Sequence, residues 1–153
     1  MSTWIELVAM TCGAFTTPEL ADQMDAVAGV LGVENEIILA VVYQESKCDP
    51  DALGSSNDSG MMQVVPRWHQ ERMEQLWVTN IFDPVQNMFL GTHLLVDLGI
   101  NEDMRRALAT YNGGPQRPAE AYAYADEVID IYNNLKFQRE VLETRAILEE
   151  DLL

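Results

Sequence analysis

Residues 34–66 read ENEIILAVVYQESKCDPDALGSSNDSGMMQVVP, and the chain is best understood outward from this stretch. Its first part, Glu34–Ser46, sets Ile37, Ile38, Val41 and Val42 at helical spacing and predicts an α-helix. Glu45 lies four positions after Val41, and seven and eight after Ile38 and Ile37, so it continues the apolar stripe. A carboxyl held there is partly desolvated, and burial favours the neutral acid, raising its pKa towards what a general acid needs near neutral pH. On periodicity alone, a helix-end Glu turned out to water is the favoured reading. The loop that follows at once, Asp49–Ser59, is dominated by Asp, Pro, Gly, Ser and Asn. Such a loop is the usual means of holding a helix-end carboxyl over an open cleft, which favours the functional reading.

The flanking segments read as helices too. Thr17-Pro18-Glu19 has the form of a helix start, with apolar residues running to Leu31 and a stop at Gly32. After the brief apolar run Gly60–Val65, Pro66 opens a helix expected to reach Trp77. Asp83-Pro84 starts another, with Val85, Met88, Phe89, Thr92 and Val96 on one side and Gly99 at its end. Asn101, with Glu102 and Asp103, opens the next, closed by Gly113-Gly114-Pro115. Pro118–Leu135 is helical, and Lys136–Leu153 forms an acidic amphipathic helix with Phe137, Val141, Leu142, Ile147 and Leu148 along one side. The expectation is a mainly α fold.

Composition narrows the function. The chain has 153 residues, of which 48% are hydrophobic, enough for one domain with a real core. Its 25 Asp+Glu against 9 Lys+Arg give a formal charge of −16, which disfavours nucleic acid and anionic membranes as partners. The first 46 residues hold no Lys or Arg, unlike a secretory signal with its positive start. Trp4–Met10 is apolar but short and interrupted by Glu6, so no membrane span is expected. Cys12 and Cys48 form neither a disulfide framework nor a metal-ligand pattern, and Cys48 reads as a small buried hydrophobe. With two His, no clustered ligands and scattered acids, neither metal nor cofactor is expected.

Four blocks of the sequence, in order, carry a resemblance. Glu45-Ser46, Pro50, Ala52, Gly60-Met61-Met62-Gln63 and Pro66 come first; Phe82-Asp83-Pro84, Asn87 and Gly91 second. Ala109 with Tyr111-Asn112-Gly113-Gly114-Pro115 follows, and Tyr124 with Val128 closes the set. Together they resemble the soluble lytic transglycosylases, whose lysozyme-like fold is shared with goose-type lysozymes. The resemblance covers roughly residues 34–135. It implies a lysozyme-like catalytic domain over 34–135, an N-terminal helical segment (1–33) packed on it, and the C-terminal helix (136–153) as part of the same domain.

Residue by residue, the resemblance implies that Glu45 is the acid/base for the β-1,4 bond between N-acetylmuramic acid and N-acetylglucosamine in peptidoglycan. Ser46 would orient Glu45 or the substrate, and Met62 and Gln63 would line the cleft near the cleaved bond. Tyr111 would hydrogen-bond near Glu45, Asn112 would bind sugar, and Tyr124 would support the acid from a later helix. Tyr hydroxyls and an amide are neutral partners that orient a carboxyl without forcing it to ionise. The implied product carries a 1,6-anhydro ring, formed by one carboxyl with help from the substrate's acetamido group.

The stretch Ser56-Asn57-Asp58-Ser59-Gly60-Met61-Met62-Gln63 also resembles the part of animal lysozymes that carries their second catalytic carboxylate. Asp58 is therefore open between a second carboxylate for true hydrolysis and ordinary turn chemistry before a glycine. A non-catalytic glycan-binding subunit is the alternative of another class, against which the intact Glu45, Gln63, Tyr111, Asn112 and Tyr124 argue. His69 and His93 read as surface or structural, Trp68 as core or a sugar platform, Trp77 as core, and the eight Met as core filling. The C-terminal helix either packs back or meets a partner; the chain is expected to be a monomer. Without a signal segment, the expected route is synthesis in the cytoplasm and action on the bacterial wall after holin release or from a virion.

Overall fold

The computed structural model describes residues 2–152; Met1 and Leu153, the outermost residues of the two flanking segments, lie outside them. Seven α-helices are found among the described residues: α1 (Thr3–Cys12), α2 (Leu20–Leu31), α3 (Asn35–Ser46), α4 (Gln70–Gln75), α5 (Pro84–Asp97), α6 (Met104–Gly113) and α7 (Ala119–Asp151). The fold is mainly α, with isolated antiparallel bridges Leu53–Ser59 and Ser59–Val64 between α3 and α4.

Helix α3 is the axis of the molecule. Residues 36–42 are all buried, on every side of the helix, so it is a core helix rather than the one-sided amphipathic helix its spacing suggested. It packs against α1, α2 and α7. The aliphatic run Ile37–Val42 is what permits this, because it leaves no polar face to keep wet.

Local chemistry sets several helix ends. Asp83 caps α5 by accepting from the Gln86 amide at 2.9 Å, with Pro84 as the first helical residue. Asp103, rather than Asn101, caps α6 through the Arg106 amide at 3.1 Å. The Thr17-Pro18-Glu19 start is displaced: these residues form a turn, and α2 begins at Leu20. The helix expected from Pro66 to Trp77 is two pieces, a single 3₁₀ turn over Pro66–Trp68 and then α4, because His69 leaves helical geometry at φ −130°. Trp77 falls after α4 at φ 60° and is 85% exposed, which corrects its assignment to the core. On α5 the buried residues are Asn87, Met88, Leu90, Gly91, Thr92 and Leu95, a face rotated from the expected one, and Val85 is exposed.

Two corrections concern the ends of the chain. Cys12 and Cys48 are joined in a disulfide, with Cα atoms 5.4 Å apart across 36 residues of sequence. The end of α1 packs beside the turn that leaves α3, so two cysteines distant in sequence become neighbours. The C-terminal segment is no separate helix but the continuation of α7, because nothing at Lys136 breaks it. Leu135 and Leu142 are buried, whereas Phe137, Val141, Ile147 and Leu148 are exposed. The inward face is thus marked by residues seven apart, and four of the five side chains expected to share the apolar face lie outside. Arg139 reaches Glu36 of α3 at 2.8 Å, and Arg145 reaches Glu6 of α1 at 2.6 Å. Of the eight Met, four (Met24, Met61, Met62 and Met88) are buried, while Met10 is 60% exposed.

Candidate active site

Glu45 sits in the last turn of α3, just before Lys47 and Cys48 turn the chain sharply with φ of 53° and 70°. Non-glycine residues rarely adopt that region, and here the disulfide of Cys48 holds the turn. The side chain of Glu45 is half-buried in a cleft of about 280 Å³ that it shares with Asp58, Gln63, Trp68, Tyr111 and Asn112. Tyr124, from α7, donates its hydroxyl to Glu45 Oε2 at 3.0 Å. Burial raises the Glu45 pKa from 4.5 to about 7; the Tyr124 hydrogen bond lowers it, and the nearby Asp58 charge raises it. The outcome is a carboxyl that holds a proton close to neutral pH and can give it to a bound group. Both tyrosine hydroxyls are pushed well above 10, chiefly by burial and also by the Glu45 charge, so both stay neutral hydrogen-bond partners.

The polar loop is built as a platform beneath this acid. Ser46 points its hydroxyl at two carbonyls, Val42 at 3.0 Å and Met61 at 2.8 Å, and so ties the loop to α3. It does not line the cleft. Gln63, at φ 53°, donates its amide to the carbonyls of Ala52 and Gly60 at 3.0 and 2.9 Å. Tyr111 Oη donates to the Met62 carbonyl at 2.6 Å, so it reaches the loop rather than Glu45 itself. Met62 brings its backbone to the site, but its side chain is wholly buried beneath the cleft against Gly91 and Thr92. Asn112 is exposed on the cleft wall.

Asn87 is the least conspicuous part of this construction. It is fully buried on α5, accepts from the Met62 amide at 2.7 Å, and donates to the carbonyls of Ser59 and Ile81 at 2.9 and 2.8 Å. A buried amide with all three bonds met fixes the loop from below. Gly60 must be glycine here: its φ is 77°, and a Cβ would come within 2.4 Å of the Asn87 amide nitrogen.

Asp58 belongs both to the turn and to the lining of the cleft. Its Oδ1 accepts from the Ser56 amide at 3.2 Å, which is turn chemistry, and its carboxylate lines the cleft close enough to act on Glu45. It is set against Gly54, where a Cβ would meet the carboxylate at 2.1 Å. Ser55, Ser56, Trp68, His69 and Leu94 also line the cleft. Only their place in the polar loop hinted at this for the serines, and nothing in the spacing did so for Leu94. His69 has a pKa lowered by burial and by Arg72. Cys48 supplies no nucleophile, since its sulfur is in the disulfide. Among the described residues, no three His, Cys, Asp or Glu side chains converge as a metal site. Nor is any helix there long and apolar enough to cross a membrane.

Comparison with known proteins adds to this geometry. Residues 24–134 match the family model described as "Transglycosylase SLT domain". The invasion protein IagB of Salmonella typhimurium is 28% identical over 117 residues, covering 70% of this chain and 72% of that protein. The transglycosylase of Enterobacteria phage PRD1 is 28% identical over 118 residues, covering 74% of this chain and 43% of the phage protein. Among solved structures, an inactive mutant of the lytic transglycosylase Slt from Pseudomonas aeruginosa superposes with a TM-score of 0.67 at 20% identity. That match covers 74% of this chain but 23% of the larger protein, and it speaks to the fold alone.

Proposed function

The chain belongs to the transglycosylase SLT domain family, whose members are peptidoglycan-cleaving enzymes, and on that premise we propose that it is a lytic transglycosylase. The bond cleaved is the β-1,4 link between N-acetylmuramic acid and N-acetylglucosamine, and the product ends in 1,6-anhydromuramic acid. One observation carries this reading: the Glu45 carboxyl, set in the cleft with its pKa raised to about 7 chiefly by burial, and a neutral tyrosine hydroxyl donating to it.

The steps balance without water. Glu45 gives its proton to the glycosidic oxygen, and the C1–O bond breaks towards the leaving N-acetylglucosamine. The acetamido group of the muramic residue shares the positive charge at C1. The 6-hydroxyl of the same residue then attacks C1, and its proton passes to the Glu45 carboxylate, restoring the acid. Tyr124 keeps Oε2 oriented through both transfers. Gln63, Tyr111 and Asn112 hold the strand and the loop against which it rests.

A second reading is a lysozyme-type hydrolase, supported by Asp58 lying in the same cleft with its charge acting on Glu45. There Asp58 would hold a water or stabilise the sugar cation. Mass spectrometry of fragments released from purified peptidoglycan separates the two. Anhydro ends, absent with Glu45→Gln, are the expected result. Reducing ends, ~18 mass units heavier by one water, would replace this reading with hydrolysis. Release of nothing by the unaltered chain would leave a glycan-binding role in its place.

A further inference from the structure

Three hollows meet at two side chains. The cleft holding Glu45, a more apolar hollow of about 390 Å³ walled by Leu94, Leu98 and Pro115, and a polar one of about 360 Å³ around Arg72, His93 and Asp97 all share Trp68 and His69. Trp68 is 65% exposed although it stands at this junction. A large apolar ring left open inside a cleft calls for an explanation that a lone surface tryptophan does not. Trp77 is the contrast: it is 85% exposed and borders none of the three hollows.

The ring is also fixed in place. Arg67 lies over its face, with the guanidinium carbon 4.9 Å from the ring centre, and donates to the Ser56 carbonyl at 3.3 Å. Ser56 belongs to the turn that holds Asp58. Arg67 thus links the indole to the loop of Ser56, and the ring itself lines the cleft. A pyranose presents a flat array of C–H bonds on one side, which lies well on an aromatic face while its hydroxyls remain free to bond elsewhere.

We propose that Trp68 is a glycan-binding residue, stacking a sugar ring of the strand next to the bond at Glu45, with the hollow of Leu94, Leu98 and Pro115 taking the acetamido methyl or the C–H face of a neighbouring sugar. This rests on the reading of the site as one that cleaves peptidoglycan glycan. It makes Trp68 a determinant of how tightly the strand is held, without a part in proton transfer.

The test uses soluble glycan strands from purified peptidoglycan. Trp68→Ala should raise KM about tenfold and leave kcat within about twofold, the loss of one stacking contact. Trp68→Phe should recover most of the loss, and Trp77→Ala should match the unaltered chain. In the Glu45→Gln background, Trp68→Ala should weaken strand binding by a similar factor. An active, Glu45-dependent enzyme whose KM ignores Trp68→Ala, or whose Phe variant is no better than Ala, overturns the stacking role alone. A chain that neither cleaves nor binds the strands overturns the reading of the site as well.

Discussion

At the scale of single residues, the chemistry turns on how the surroundings of Glu45 divide its proton between states. A general acid with a pKa of about 7 is active below that value, so kcat/KM should fall on the alkaline side of pH 7. The two neighbours shift this limb in opposite directions. Tyr124 favours the ionised form through its hydrogen bond, so Tyr124→Phe should move the alkaline limb to higher pH while lowering the rate. The Asp58 charge disfavours ionisation, so Asp58→Asn should move it to lower pH. A pH–rate profile of each variant reads the shifts directly, and an unmoved limb in Asp58→Asn would detach that carboxylate from the acid. Stability follows the same sign: a carboxyl raised from 4.5 to about 7 contributes fully below its unfolded value, and that contribution is lost as pH rises through about 7. Glu45 was legible in the sequence because a carboxyl on an apolar stripe next to a polar loop contradicts its surroundings. Asn87 was visible only as one letter of a motif. Its importance lies in three bonds to backbone groups drawn from Ser59, Met62 and Ile81, and no spacing rule reports such bonds.

At the scale of elements, α5 and the loop above it behave as one unit through that amide. Removing it leaves the buried Met62 N–H and the Ile81 carbonyl without their partner, while the Ser59 carbonyl keeps the Val64 amide at 3.1 Å, at a cost of about 1–3 kcal/mol for each group that water cannot reach. Asn87→Ala should therefore destabilise the protein by about 3 kcal/mol, and Asn87→Asp by no less, since a carboxylate would face the carbonyls of Ser59 and Ile81. Urea unfolding measures this, and a loss below about 0.5 kcal/mol would show that the loop stands without the amide. Helices whose ends are set by local chemistry were readable, as the Asp83-Pro84 start of α5 shows. The break at His69 was not, because no glycine or proline marks it. With the helix interrupted there, Trp77 lost the periodic position that had suggested burial. The face of the C-terminal helix was misjudged for a related reason. Its exposed Phe137, Val141 and Leu148 outnumber the Leu135 and Leu142 that pack inward, so a count of apolar residues favours the wrong side.

At the scale of the whole molecule, a chain of −16 uses its few cations where helices must be joined. Lys136, Arg139 and Arg145 tie α7 to Glu34, Glu36 and Glu6, and Arg105 of α6 meets Asp126 on α7. Apart from the half-buried Arg139–Glu36 pair, these are exposed pairs that contribute little individually, so burial of Leu135 and Leu142 and the disulfide must do more to hold the ends. The disulfide was out of reach of sequence reasoning, since two cysteines 36 residues apart show no framework until α1 is packed beside α3. Closing a loop of that length restricts the unfolded chain by about 4 kcal/mol, on an entropic account. Cys12→Ser with Cys48→Ser should therefore lower unfolding stability by about 3–4 kcal/mol, and a reducing agent should do the same to the unaltered chain. The cross-link also pins the left-handed turn at Lys47 and Cys48 that ends the helix of Glu45. The loss should accordingly appear in activity before global unfolding, as a fall in kcat on warming at temperatures where the far-UV helix signal is intact. A double serine variant that keeps both its unfolding midpoint and its kcat across that range would reduce the bridge to an incidental contact between two buried sulfurs.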